Sequence, residues 1–153
     1  MTELENKIYS IVRNIPKGKV ATYSSIAKMC GNKNLARFIG NAMHKNPLPF
    51  YQLAQNCGLK NAKAFCDFSI FNFDPVPCHR VVNAKGKMGK NFALGGVKMQ
   101  EKMLKEEGVE IINGIVDLEK YSVFNWKNVL GFILNNLQYF LLPKSDPKTS
   151  SGW

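Results

Sequence analysis

Acidic residues are scarce in this chain: 11 Asp and Glu stand against 21 Lys and Arg over 153 residues, a formal charge of +10. A field of that sign attracts polyanions before any specific contact forms, so nucleic acid is the leading expected partner and an acidic membrane surface the second. A merely solubilising surface charge is the plain alternative. Histidine is scarcer still, with only His44 and His79 to join Cys30, Cys57, Cys66 and Cys78 as soft ligands. No C-x-x-C pair occurs among the cysteines, which argues against a structural zinc site. P-loop and dinucleotide glycine patterns are missing too, so the chain is expected to work without a cofactor or metal. No apolar run is long enough to span a bilayer. The opening "MTELENKIYSIVRNIPKGK" is polar and helix-patterned rather than a secretory leader. The expectation is an intracellular protein, cytoplasmic or nuclear, with reduced thiols and no membrane association.

Hydrophobic residues make up 45% of the chain, enough for one core and not comfortably for two. Leu4, Ile8, Ile11 and Val12 recur at helical spacing, and "NIPKG" closes that helix. Thr22 is placed to cap a short helix through Met29, with Ile26 and Met29 inward and Gly31 as terminator. A third helix should begin near Asn34, carry Leu35, Phe38, Ile39, Ala42 and Met43 as one apolar stripe, and stop at Asn46-Pro47. A short helix, a tight turn and a second helix suggest helix-turn-helix. The other face of that third helix gathers Ala36, Arg37, Gly40, Asn41 and His44. Small residues around one arginine allow close approach to a flat surface such as a DNA groove, although an ordinary solvated face has the same composition.

Residues 50–74 hold no single period and read as a helix plus an extended piece. Further on, "GGVKMQEKMLKEEG" predicts a helix with Val97, Met103 and Leu104 buried and Gly108 at its end. Asn113-Gly114 between β-formers is the strongest hairpin signal in the chain. Val129, Leu130, Ile133, Leu134, Leu137, Phe140 and Leu141 form a stripe interrupted by Asn135, Asn136 and Gln138, favouring a docked amphipathic helix before a disordered "PKSDPKTSSGW".

The stretch "DPVPCHRVVNAKG" sets Cys78 between a proline and His79. A cysteine attacks as its thiolate, and a thiol of ordinary pKa is mostly protonated near neutrality, so a base must take its proton. His79 is adjacent, but neighbours on an extended strand point to opposite faces, so a bridging water or a bend is needed to connect them. Glu106 and Glu107, at the end of "MLKEEG", are the acids available to orient the imidazole. A small buried thiol on a strand running into Val81 and Val82 fits the residues about as well.

"PCHRVV", following "GKVATYSSIA" and "LARFIGNAMHKNP" and preceding "NAKGKMG" and "LKEEGVEI", resembles the active-site domain of O6-alkylguanine-DNA alkyltransferases and their homologues. The resemblance covers about Leu4 to Trp126, apart from the segment from Phe50 to about Asp74. It implies that double-stranded DNA containing alkylated guanine is the partner, that the helix-turn-helix enters the minor groove, and that the damaged nucleotide is extruded. Tyr23 would then help to rotate the nucleotide and Arg37 fill the vacated stack, on a face shared with Ala36, Gly40 and Asn41. Cys78 would be the alkyl acceptor, His79 its water-mediated base and Glu107 the orienting acid. Asn46 would organise the site, with Arg80 in the same motif. The implied reaction is a single, irreversible alkyl transfer from guanine O6 to Cys78 by a monomer.

Departures from the family pattern leave a second reading, a non-catalytic alkyltransferase-like protein that binds and flips alkylated guanine for another pathway. Roughly two dozen residues are inserted between Asn46 and Cys78, at about 50–74. In the loop after the active cysteine, where the family often carries a tyrosine whose hydroxyl assists the leaving group, the nearest aromatic here is Phe92, which has no hydroxyl. The architecture expected is mainly α (α+β): a winged-helix-like helix-turn-helix bundle with a short active-site strand and a small C-terminal β-hairpin. Residues 1–126 would form this domain and residues 127–153 an extra segment.

Overall fold

The computed structural model describes residues 2–60, 75–90 and 92–123, together with Leu134 and Leu137. Helix α1 (Glu3–Arg13) starts at Thr2, whose hydroxyl accepts from the Glu5 N–H at 3.1 Å while the Glu5 carboxylate accepts from the Thr2 N–H at 2.8 Å. This reciprocal pair satisfies two of the donors that a helix start leaves open. Strand β1 (Ala21–Thr22) runs into α2 (Tyr23–Met29), and Thr22 caps that helix through a 3.1 Å bond from the Ser25 N–H to its hydroxyl. Gly31, at φ +87°, carries the left-handed turn that ends α2. A 3-10 turn at Lys33–Leu35 then leads into α3 (Ala36–His44), completing the helix-turn-helix. Ile8, Ile11 and Val12 of α1, Ile26 and Ala27 of α2, and Ile39, Ala42 and Met43 of α3 close one core.

After α3 come α4 (Tyr51–Asn56), a 3-10 turn at Cys78–Arg80, β2 (Val81–Val82), α5 (Gly96–Glu106), β3 (Ile111–Ile112), β4 (Ile115–Val116) and α6 (Leu118–Tyr121). Strand β2 lies parallel to β1, with Ala21 opposite Val81 and Thr22 opposite Val82. The residues after Cys-His-Arg are thereby stitched to the entry of the helix-turn-helix. Strands β3 and β4 form the hairpin that Asn113-Gly114 predicts, both turn residues having positive φ, +53° and +74°. Gly86 (φ +81°) lies so close to the Val116 carbonyl that a β-carbon would collide with it, and its own carbonyl accepts from the Val116 N–H at 2.9 Å. The basic loop is thus pinned to the hairpin.

The structure corrects several expectations. Cys78 does not sit on a strand: Pro77 enters at ψ +66°, the Arg80 N–H donates back to the Pro77 carbonyl at 3.0 Å, and extended backbone begins only at Val81. Phe38 is 36% exposed, because α3 is buried along the Ile39–Ala42–Met43 line and Phe38 falls at its margin. Met29 and Leu35 are only partly buried. Val97 is 39% exposed, since it lies in the first turn of α5, ahead of the Gln100–Met103–Leu104 line that the core covers. Within the inserted segment a helix forms at Tyr51–Asn56, packing Ala54 against Leu94 and Met103, whereas its continuation through 61–74, with Cys66, lies outside the described residues. The expected helix over 129–141 and the tail after it also lie outside them, except Leu134 and Leu137, which are helical and exposed. No helix among the described residues is long and apolar enough to cross a membrane.

Candidate active site

One cleft of about 520 Å³ opens along the outer face of α3. It is lined by Ala36, Arg37, Gly40, Asn41 and His44 of that helix, by Tyr23 at the start of α2, and by Cys78, Lys90 and Phe92. Residues far apart in sequence therefore meet at one wall. The geometry follows from local structure. Ala36 and Gly40 are small and one helical turn apart, so a groove runs along α3 past them, with Arg37 exposed at its edge. None of the lining residues is acidic, while Arg37, His44 and Lys90 bring basic groups to it.

Cys78 is the buried floor of this cleft. Burial pushes its thiol up to about 11, against hydrogen bonds with the Asn46 side chain and from the Cys78 and His79 N–H groups, which pull it down. Asn46 follows the end of α3 and is itself fixed, donating from Nδ2 to the Val76 carbonyl at 2.9 Å and accepting the Leu48 N–H at 3.0 Å. One side chain thus ties the C-terminus of α3 to the strand-free turn that carries the cysteine.

The 3-10 turn sends His79 away from the cleft, to a buried group behind it. His79 Nε2 is hydrogen-bonded to Glu107 Oε1, and Arg80 clasps the same carboxylate through Nη2 to Oε2 and through Nε to Oε1 at 3.1 Å. Arg80 Nη1 also donates to the Ile15 carbonyl at 2.7 Å, anchoring the group to the end of α1. Burial works to raise the Glu107 carboxyl, but the hydrogen bonds from His79 and Arg80 prevail and hold it at about 2. Glu107 is therefore an anion at neutral pH, so Nε2 of His79 must carry the proton between them. Burial also keeps the imidazole below its ordinary pKa, opposed by the hydrogen bond to Glu107. Its other nitrogen, Nδ1, is buried with no hydrogen-bond partner among the described residues and has a lone pair free to accept a proton.

The structure brings Tyr23, Ala36, Arg37, Gly40, Asn41, Cys78 and Phe92 to one cleft and sets Asn46, His79, Arg80 and Glu107 behind it. Glu106, the other acid open to the sequence reading, is exposed on the last turn of α5. Two participants escaped the sequence reading. Gln100, 1% exposed on α5, donates to the carbonyls of His79 (3.1 Å) and Val81 (2.9 Å) and accepts the Gly89 N–H at 3.0 Å. It joins the cysteine turn to the loop that forms the far wall. Its signal was a lone amide on the otherwise apolar line of α5. Phe50 lies against His79 with the two rings tilted, centroids 5.2 Å apart, and the Arg80 guanidinium lies 5.0 Å from its centroid. Nothing in the pattern of the inserted segment marked that residue. Among the described residues no group of three His, Cys, Asp or Glu side chains is placed to hold a metal ion.

Fold and site together define a class: a helix-turn-helix protein whose recognition-type helix lines a cleft floored by a cysteine and backed by a histidine–glutamate–arginine group. Residues 3–109 match the family model described as 6-O-methylguanine DNA methyltransferase, DNA binding domain, and the chain belongs to that family. It is 35% identical over 130 residues to alkyltransferase-like protein 1 of Schizosaccharomyces pombe, covering 83% of this chain and 97% of that one. It is also 31% identical over 107 residues to a methylated-DNA–protein-cysteine methyltransferase of Methanosarcina acetivorans, covering 70% of this chain and 52% of that one. A DNA base-flipping protein of Vibrio parahaemolyticus is 31% identical over 119 residues, 76% of this chain and 91% of that one. The crystal structure of S. pombe Atl1 in complex with damaged DNA containing O6-carboxymethylguanine superposes with a TM-score of 0.56 at 31% identity, covering 80% of this chain and 95% of that one.

Proposed function

We propose that this protein repairs DNA by moving an alkyl group from guanine O6 to its own Cys78, once per molecule. The observation that carries this reading is the cysteine on the cleft floor with a buried histidine next to it, whose Nε2 is tied to an anionic glutamate and whose Nδ1 is left to accept a proton. Duplex DNA docks on the α3 face, where the cleft wall is basic and α3 is narrow at Ala36 and Gly40. The target guanine leaves the stack, because O6 cannot face a thiol on the cleft floor while the base stays paired. Tyr23 presses on the rotating nucleotide and Arg37 takes its place in the helix. The superposable Atl1 complex, which holds damaged DNA containing O6-carboxymethylguanine, supports this partner.

With the thiol at about 11, roughly one molecule in ten thousand is a thiolate at pH 7, so deprotonation and attack are coupled. The thiol proton passes, through a water, to His79 Nδ1, and the imidazolium is held by Glu107. Sγ attacks the alkyl carbon as the bond from that carbon to O6 breaks. The electron pair stays with guanine, which takes the proton passed back from the imidazolium through water and becomes an ordinary base, while the sulfur ends as a thioether and His79 returns to its neutral form. No cofactor enters the balance. The reaction is tested by incubating the protein with an oligonucleotide carrying O6-methylguanine and weighing the Cys78 peptide.

A second reading, lesion binding without transfer, is favoured by Phe92, which lines the cleft but has no hydroxyl to assist the leaving oxygen. Similarity to the alkyltransferase-like protein of fission yeast and the base-flipping protein of Vibrio leans the same way. Tight, lesion-specific binding by both the parent and a Cys78→Ala variant, with no methyl on the parent's peptide, identifies that case.

A further inference from the structure

The described part of the inserted segment does not cover Cys78. None of residues 50–60 lines the cleft. Instead the segment meets the base from behind: Phe50 lies against the His79 ring at 5.2 Å between centroids, tilted by 52°, and under the Arg80 guanidinium at 5.0 Å. Phe50 and Phe92 also pack on the same apolar cluster of Ala54, Leu94 and Met103, which joins α4 to α5 and the cleft wall. One aromatic residue thus touches two of the three members of the buried charge group and shares its support with the wall.

We infer that Phe50 is a positioning residue for the His79–Arg80–Glu107 group, so that the described start of the insertion, residues 50–60, acts as an added brace of the proton acceptor. Three physical consequences follow from its place. Its ring keeps water from the imidazole and so favours the neutral form that can take a proton. Its face holds the Arg80 guanidinium, which leaves both carboxylate oxygens of Glu107 occupied. Its attachment to α4 fixes the rotation of the imidazole through packing that a flexible loop could not supply. The groups facing His79 are Cys78 and Arg80 on its own turn and Glu107 from α5, whereas α4 brings the uncharged ring of Phe50. The inference rests on the transfer reading for what the imidazole does, but not for how it is held.

The test is an NMR titration of the 153-residue chain, whose two histidines, His44 and His79, give two imidazole signals to assign. Phe50→Leu, Phe50→Ala and Phe50→Tyr are compared with Leu53→Ala, which loosens α4 without touching the base. Phe50→Leu and Phe50→Ala should raise the His79 midpoint by about half a pH unit or more, since water reaches the ring and Arg80 is freed. Phe50→Tyr should restore it, and Leu53→Ala should lower thermal stability with His79 unmoved. A His79 midpoint unchanged in Phe50→Leu, or shifted as far by Leu53→Ala, overturns the inference. If Phe50→Ala does not fold, Phe50→Leu decides. In parallel, single-turnover transfer from O6-methylguanine DNA should slow on the order of 10-fold near pH 7 in Phe50→Leu. Absence of transfer in the parent would refute the transfer reading alone, because the titration still judges Phe50.

Discussion

Replacing Glu107 by glutamine keeps the shape of the side chain and removes its charge, so it isolates what the anion contributes. Glu107 is held from its ordinary 4.5 down to about 2 by His79 and Arg80. At about 1.4 kcal/mol per pH unit, that corresponds to about 3 kcal/mol of coupling to the folded state. The titration of Glu107 is shared with that of His79, bonded to the same carboxylate, which leaves about 2 kcal/mol for the charge itself. Because the folded pKa lies below the unfolded one, this stabilisation is fully present above about pH 4.5 and is lost as the pH falls toward 2. Glutamine cannot titrate there, and protonated Glu107 resembles it. The parent should therefore exceed Glu107→Gln by about 2 kcal/mol at pH 6, and the gap should close to well under about 1 kcal/mol by pH 2. Urea unfolding followed by far-UV circular dichroism at pH 6, 4, 3 and 2 measures that gap directly. A gap that stays constant with pH, or a variant as stable as the parent at pH 6, refutes the electrostatic account of this group.

Three further outcomes are expected. Arg37→Ala, at an exposed position, should change stability by less than about 0.5 kcal/mol yet weaken binding to duplexes with O6-methylguanine, measured by fluorescence anisotropy against undamaged duplex. Phe92→Tyr supplies a hydroxyl at the cleft wall and should speed transfer by on the order of 10²-fold or less, read from single-turnover kinetics; no acceleration argues that Phe92 does not face the leaving oxygen. Gln100→Leu leaves the Gly89 N–H and the His79 and Val81 carbonyls without that amide and should cost about 3 kcal/mol in urea unfolding.

Much of the fold was legible because its signals are local. The Thr22 cap, the Gly31 terminator and the Asn113-Gly114 turn each act within a few residues, and all three appear where the sequence places them. The stripes on α3 and α5 extend further in the sequence than in the structure, because periodicity locates a face but not its limits, which depend on neighbouring helices. Phe38 and Val97 sit at such limits. The conformation of Cys78–Arg80 was hidden for a different reason: two valines promise a strand, and the pull of Pro77 toward a turn acts only on the residues before them. At the site, the face of α3 was legible from the run of small residues, and the motif nominated Cys78 and His79. The choice between Glu106 and Glu107 needed the resemblance, since both close the same helix. Gln100 and Phe50 were hidden because their importance lies in partners distant in the chain, on backbone atoms and rings that no sequence pattern encodes.

The central claim is that Cys78 accepts the alkyl group, and the mass of its peptide tests this most directly. After saturating exposure to duplex DNA containing O6-methylguanine, the account predicts one methyl in place of the thiol hydrogen on the peptide carrying Cys78, up to one equivalent, with Cys30 and Cys57 unmodified and guanine restored in the DNA. An unmodified Cys78 peptide recovered from protein that is demonstrably bound to the lesion contradicts it.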